Sequence, residues 1–149
     1  MSAPTYLTPW PSPAARVEPA DLAPGGHGRI VVTVDIPDGY HVQSNRPGDP
    51  FLIPTTLRLD ETGDLALGAP VYPDGETQRF DWTPAVLDVY RGTIEIAVPV
   101  EVGTGATPGV RTISGRVRYQ GCSDSACLPP AELPVEAVLE VGVPRDPST

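Results

Sequence analysis

"RIVVTVDI", Arg29 to Ile36, is the stretch that decides the fold class. Ile30, Val32, Val34 and Ile36 point one way and Arg29, Thr33 and Asp35 the other, the alternation of a half-buried strand rather than the longer period of a helix. Pro37-Asp38-Gly39 turns the chain and "YHVQ" resumes it. "TIEIAVPV" repeats the pattern, with Ile94, Ile96, Val98 and Val100 on one face and Pro99 on the other, where a missing N–H suggests a sheet edge. "RTISGRVRYQ" buries Ile113, Val117 and Tyr119, and "LPVEAVLEVGV" buries Leu133, Val135, Leu139, Val141 and Val143. Further strands are expected from Phe51 to Leu59, alternating through Ile53, Thr55 and Leu57, and around Leu65 to Tyr72. Seven or eight short strands separated by turn signals predict an all-β fold, an antiparallel β-sandwich.

Composition agrees. The chain has 149 residues, one domain's worth, with twenty prolines and fifteen glycines, and the best helix formers are sparse. Residues 1–15 read as an extended Pro-rich lead-in, 16–144 as the folded domain and 145–149 as a flexible tail. A formal net charge of −9 with no basic stretch repels phosphate backbones, so neither nucleic acid nor an anionic membrane surface is expected as a partner. No run is long and apolar enough to span a bilayer, and "MSAPTYLTPWPSP" lacks the charged and apolar parts of a signal peptide. A soluble chain is expected. Two compartments stay open: outside the cytoplasm, with Met1 standing where a leader was removed, or inside it.

Two segments stand out against this background. The first, Pro73 to Gly92, runs without a sustained period, and a connection of that length in a compact domain is usually functional or disordered; Phe80 and Trp82 within it favour function. The second, "YQGCSDSACLPP" from Tyr119 to Pro130, holds both cysteines of the chain, Cys122 and Cys127, with four small or polar residues between them. A bridge across so short a loop removes little unfolded-state entropy, so stability is a weak reason for the pair. Odd positions from Ile113 to Tyr119 face the core, which predicts an outward-facing Cys122 at the rim unless Gly121 breaks the parity.

Other chemistries fit poorly. Zinc would need His27 and His41 to join the cysteines, and their spacing matches no ligand framework, so no metal is expected. His27, in "GGHGR", reads as a solvated turn residue and His41 as a rim residue that could line the cysteine site. No Gly-x-Ser-x-Gly elbow and no phosphate-cradling glycine loop is present, and Asp81 and Asp88 read as solvated loop carboxylates. Spacing alone leaves a structural disulfide and a redox pair evenly matched.

The residues around the pair add a resemblance. "VRYQGCSDSACLPP" resembles the cysteine hairpin of the amino-terminal domain of the DsbD thiol:disulfide interchange family, "VTVDIPDGYHVQSN" looks like that family's early strand and turn, and "VYRGTIEIAVPV" is similar to the strand after its cap loop. The likeness runs in order over residues 15 to 143. It implies an immunoglobulin-like sandwich with a cap loop over a cysteine hairpin. It also implies a periplasmic or extracytoplasmic protein-disulfide reductase domain, monomeric and free of bound cofactors. Such a domain passes electrons from a thioredoxin-like domain and its membrane electron donor to partner disulfides, including those of cytochrome c biogenesis. Cys127 is then implied to attack the partner and Cys122 to resolve, with Phe80 and Trp82 as shielding residues and Tyr40, His41, Asp81, Tyr119 and Asp124 as site-lining ones. Asp124 would disfavour a thiolate by like charge and Arg118 would favour it if near.

The sequence departs from the family pattern in three ways. Its cysteine spacing is one residue shorter than in the best-known members. It contains neither a membrane domain nor a thioredoxin Cys-x-x-Cys, which points to a piece of a longer relay or a free-standing one with separate donors. Counting back from Tyr90 places Thr83, rather than an aromatic, at the shielding position. A non-catalytic extracytoplasmic binding sandwich with a structural disulfide remains the alternative, and a chaperone-like module that holds peptides at a sheet edge a weaker one.

Overall fold

The β-branched runs and Pro/Gly turns fold, in a computed structural model that describes residues 10–143, into twelve strands with no helix among them. The first nine residues of the expected lead-in and the whole expected tail lie outside the described residues. In chain order the strands are β1 (Ala14–Glu18), β2 (Asp21–Leu22), β3 (His27–Asp35), β4 (His41–Gln43), β5 (Thr56–Leu59) and β6 (Leu65–Leu67). They continue as β7 (Glu76–Phe80), β8 (Thr83–Tyr90), β9 (Thr93–Val102), β10 (Gly109–Tyr119), β11 (Gly121–Cys122) and β12 (Ala131–Val141).

Three four-stranded sheets result, in the orders β1-β3-β9-β6, β2-β12-β10-β5 and β11-β4-β8-β7. Pairing is antiparallel except where β2 runs parallel to β12. Ile30, Val32 and Val34 of β3 and Ile96, Val98 and Val100 of β9 meet Ile113 and Val117 of β10 and Val135, Leu139 and Val141 of β12 in one apolar cluster. Each such side chain contributes about 1.5 to 3 kcal/mol on leaving water, so this layer is the main stabilising element of the sandwich. The all-β architecture expected from the alternation, and the immunoglobulin-like sandwich that the resemblance implies, are the ones observed.

Several local expectations are corrected. The number of strands is larger than seven or eight, because the segment expected to be a loop supplies β7 and β8 and the two-residue β2 and β11 add to the count. Phe51 is 90% exposed, and the strand predicted from it begins only at Thr56. Asp49 instead closes a turn over Phe51 and Leu52, and Pro54, with no N–H, precedes the ladder. The strand expected to reach Tyr72 stops at Leu67, leaving a single bridge from Val71 to Ala97. Pro99 is not at a sheet edge: its carbonyl accepts from Gly68 N–H in the gap between β6 and that bridge, where a missing donor costs little. Trp10, placed in the lead-in, is a core residue only 6% exposed, and β1 begins at Ala14 rather than beyond the lead-in.

The largest correction concerns Pro73 to Gly92. The segment is not an aperiodic loop: β7 and β8 pair from Glu76↔Val89 to Phe80↔Thr83 around a two-residue tip, Asp81-Trp82. This hairpin joins β4 and the two-residue β11 in the third sheet, which puts Val42 and Tyr90 into the main core and adds a small cluster of its own, Phe80, Leu87 and Val89. The cysteine hairpin and the expected cap are therefore parts of one sheet.

Candidate functional site

β10 ends at Tyr119 and Gly121 opens β11, yet the parity carries through: Gly121 lies against Trp10 on the core side, as Tyr119 does, and Cys122 faces away from the main core beside His41. The outward parity holds but the expected exposure does not, because residues of the third sheet cover that face: Cys122 is 0% exposed, whereas Cys127 is exposed. Gly121 is required here. A Cβ on it would sit 2.5 Å from Trp10 Cζ2, far inside van der Waals contact, because the indole lies directly against its backbone. Tyr119 and Tyr40 flank the same indole, at centroid distances of 5.0 Å and 5.6 Å. Both tyrosines thus buttress the hairpin from the core side, and burial pushes the Tyr119 hydroxyl up to about 12.

Cys122 and Cys127 are joined by a disulfide, with Cα atoms 4.0 Å apart. The loop between them closes on itself: Ser123 N–H donates to Ala126 O at 2.8 Å, Leu128 N–H donates to Gly121 O at 2.8 Å, and Ser123 Oγ accepts from Ala126 N–H at 3.3 Å. Gln120 ties the hairpin to its surroundings, donating to Leu128 O and accepting from Ile53 N–H. The buried sulfur thus sits on a rigid strand and the exposed one on a short polar loop.

Beneath Cys122 lies a floor of buried polar side chains. The register pairs Cys122 with His41 and Gly121 with Val42. His41, Gln43, Ser44 and Thr55 are all 0% exposed. Gln43 Nε2 lies 3.8 Å from Cys122 Sγ, Thr55 Oγ1 donates to Gln43 O at 2.6 Å, and Ser44 Oγ donates to Asp88 Oδ2 at 2.7 Å. His41 is therefore no rim residue: the strand parity of "YHVQ" turns His41 and Gln43 to one face, and that face is the cysteine site. Both ring nitrogens of His41 and Oε1 of Gln43 are buried without a hydrogen-bond partner. Burial is the main cause that holds His41 down at about 4, with Arg91 adding to it and Asp124 opposing.

Phe80 roofs this floor. A register shift between Arg79 and Phe80 re-aims the phenyl ring, which stacks on His41 at 4.7 Å and is 8% exposed. Trp82 lies over Phe80 at 5.7 Å and keeps 41% exposure, while Asp81 at the tip is exposed. The cation near the cysteine loop is Arg91, not Arg118. Arg91 bonds Gln78 and reaches Asp124 Oδ1 at 4.0 Å, whereas Arg118 sits on the exposed face of β10 between Thr56 and Glu132. His27 is exposed at the start of β3, opposite Glu101. Gln43, Ser44, Thr55 and Arg91 were not singled out by sequence; for Gln43 the two-residue spacing from His41 was the available signal.

A single disulfide with one open and one enclosed sulfur, on a sandwich carrying a hairpin roof, matches a known family. The model of the family described as thiol:disulfide interchange protein DsbD, N-terminal, matches residues 10–138. The chain belongs to that family. As a DsbD N-terminal domain it is a thiol:disulfide interchange domain, and Cys122–Cys127 is the disulfide it holds. The DsbD N-terminal domain of Neisseria meningitidis, solved in the reduced form, aligns with a TM-score of 0.53 and 19% identity over 95% of this chain and 100% of that one. The N-terminal periplasmic domain of ScsB from Proteus mirabilis aligns with a TM-score of 0.51 and 15% identity over 82% of this chain and 43% of its own. These structures bear on the shared fold. No curated protein matches the sequence.

Proposed function

We propose that this domain relays electron pairs outside the cytoplasm, from a thioredoxin-like module and its membrane donor to disulfides of partner proteins, acting through Cys122 and Cys127 with no cofactor beyond that pair. The observation that carries the reading is the opposite exposure of the two cysteines, Cys122 buried and Cys127 exposed. In the reduced domain Cys127, on the open loop, attacks a partner disulfide as the thiolate; one partner sulfur bonds Cys127 Sγ and the other leaves with the electron pair. Cys122, enclosed beside it, then attacks Cys127 Sγ, forms the intramolecular disulfide and expels the second partner sulfur. The partner gains two electrons and the domain loses two. Recharging runs the same exchange in reverse with a reduced thioredoxin-like dithiol. Cytochrome c biogenesis is one process whose thioredoxin-like components suit the acceptor role.

Arg91 and Asp124 lie on opposite sides of the thiolate question. Asp124 is 84% exposed, so water screens its repulsion, while the less exposed Arg91 keeps more of its influence. The experiment is a trap. With a thioredoxin-like partner as the oxidised acceptor, Cys122→Ser accumulates a mixed disulfide through Cys127 and Cys127→Ser accumulates little. Equal or reversed yields would remove the assigned roles.

A further inference from the structure

The resolving step faces a proton problem. In the mixed disulfide Cys122 carries S–H, since an ordinary thiol is mostly protonated at neutral pH. It must lose that proton before it attacks, yet Cys122 is 0% exposed and solvent bases do not reach it. An internal base is needed within reach of the sulfur.

His41 stands there. It is directly opposite Cys122 in the β4–β11 register, which brings the two Cβ atoms to about 4.5–5.5 Å on the same face. Gln43, on that face too, reaches the sulfur itself. Neither imidazole nitrogen has a hydrogen-bond partner, although the residue is fully enclosed under Phe80. Such an orphan is costly and calls for an explanation. The oxidised site supplies one: a disulfide sulfur has no proton to donate, whereas a Cys122 thiol has.

Resting on the interchange reading above, we propose that His41 is the base that takes the Cys122 proton as Cys122 resolves the mixed disulfide. The Cys122 S–H bond breaks and its proton goes to an imidazole nitrogen. The sulfur electron pair forms the bond to Cys127 Sγ, and the Cys127–partner bond breaks with its electron pair leaving on the partner sulfur. His41 then passes the proton to that leaving thiolate or to water. On recharging, it returns a proton to Cys122. The charged groups acting on the ring are Arg91, at the end of β8, and Asp124, on the cysteine loop; the faces given by β7 and β11 present Phe80 and Cys122.

The test uses the reduced full chain and dithiobis-nitrobenzoate, an aromatic disulfide that releases one coloured thiolate when Cys127 attacks and a second when Cys122 resolves. Both phases are followed by stopped flow in the wild type, His41→Phe and His41→Gln. The Phe variant keeps a ring to stack on Phe80, and the Gln variant keeps polarity; neither has a base. The expected result is a first phase unchanged within about twofold and a second phase slowed about 10²-fold in both variants, the usual scale for a lost general base. The residual second phase rises in proportion to hydroxide, while the wild type is flat across neutral pH. A second phase that keeps its wild-type rate in both variants, or slows only in one, overturns the inference and leaves the interchange reading standing. If Cys122→Ser takes no aryl group at Cys127, the interchange reading itself fails, and the inference with it.

Discussion

Phe80→Ala isolates the roof of the site. A small thiol that attacks exposed Cys127 must expel Cys122 as a thiolate into a space closed by His41, Gln43 and Phe80, where no water solvates the new charge. Phe80 is 8% exposed and held by Leu87, Val89, Leu52 and Ala85 in a cluster outside the main core, so its loss opens the roof without hollowing the sandwich. Burying such a ring is worth about 1.5 to 3 kcal/mol. If that energy holds the roof closed against reduction, its removal accelerates the reaction by between about tenfold and about a hundredfold, at about 1.4 kcal/mol per factor of ten. The assay is the pseudo-first-order rate of disulfide reduction by dithiothreitol, read by mass after thiol trapping, with circular dichroism as the folding control. A folded Phe80→Ala protein reduced at the wild-type rate would refute the claim that the ring encloses the leaving sulfur.

Three further outcomes follow from the geometry. Trp82→Ala, which removes a ring already 41% exposed and one stack further from His41, accelerates the same reduction by less than Phe80→Ala does; the reverse order would make Trp82 the true roof. Folded His41 prefers to be neutral down to about 4 against an ordinary 6.5, so below 6.5 the unfolded chain binds the proton first: stability is fully present above that pH and falls as pH drops to about 4, by about 3 kcal/mol in all. Urea midpoints across this window decline less in His41→Phe, and parallel slopes in the two proteins would contradict the assignment. Gly121→Ala drives a methyl into Trp10 and lowers the urea midpoint by the equivalent of about 1–3 kcal/mol; an unchanged midpoint would mean that the indole yields freely.

Much of the fold was legible because β9 buries one face against a thick core and alternates regularly for that reason, and β3 does so apart from Val31, which is buried as well. The cysteine hairpin was legible from its flanking residues. The third sheet was not. β7 buries only Phe80 at its end, its neighbours are polar on both faces, and its Asp81-Trp82 tip is not a usual hairpin pair. The exposure of Cys122 was misread because the outward face that parity assigns to it is covered by the third sheet, where His41 and Gln43 lie against it. His41 looked like a rim residue because nothing in its own neighbourhood announces Phe80, which is 39 residues away in sequence and is aimed at it by a register shift. Ser44 lies in a turn-rich stretch where such residues are usually solvated, and Thr55 reads as an ordinary strand position; their partners in the third sheet, Asp88 and Gln43, are remote in sequence.

The measurement that bears most directly on this account is the reduction potential of the Cys122–Cys127 pair, by equilibration against glutathione and dithiothreitol with mass analysis of the trapped thiols. An interchange domain is expected to fall with the exchange proteins, between about −120 and −270 mV. A value below about −300 mV would place the pair among structural bridges and contradict the relay, whatever the exposure of Cys127.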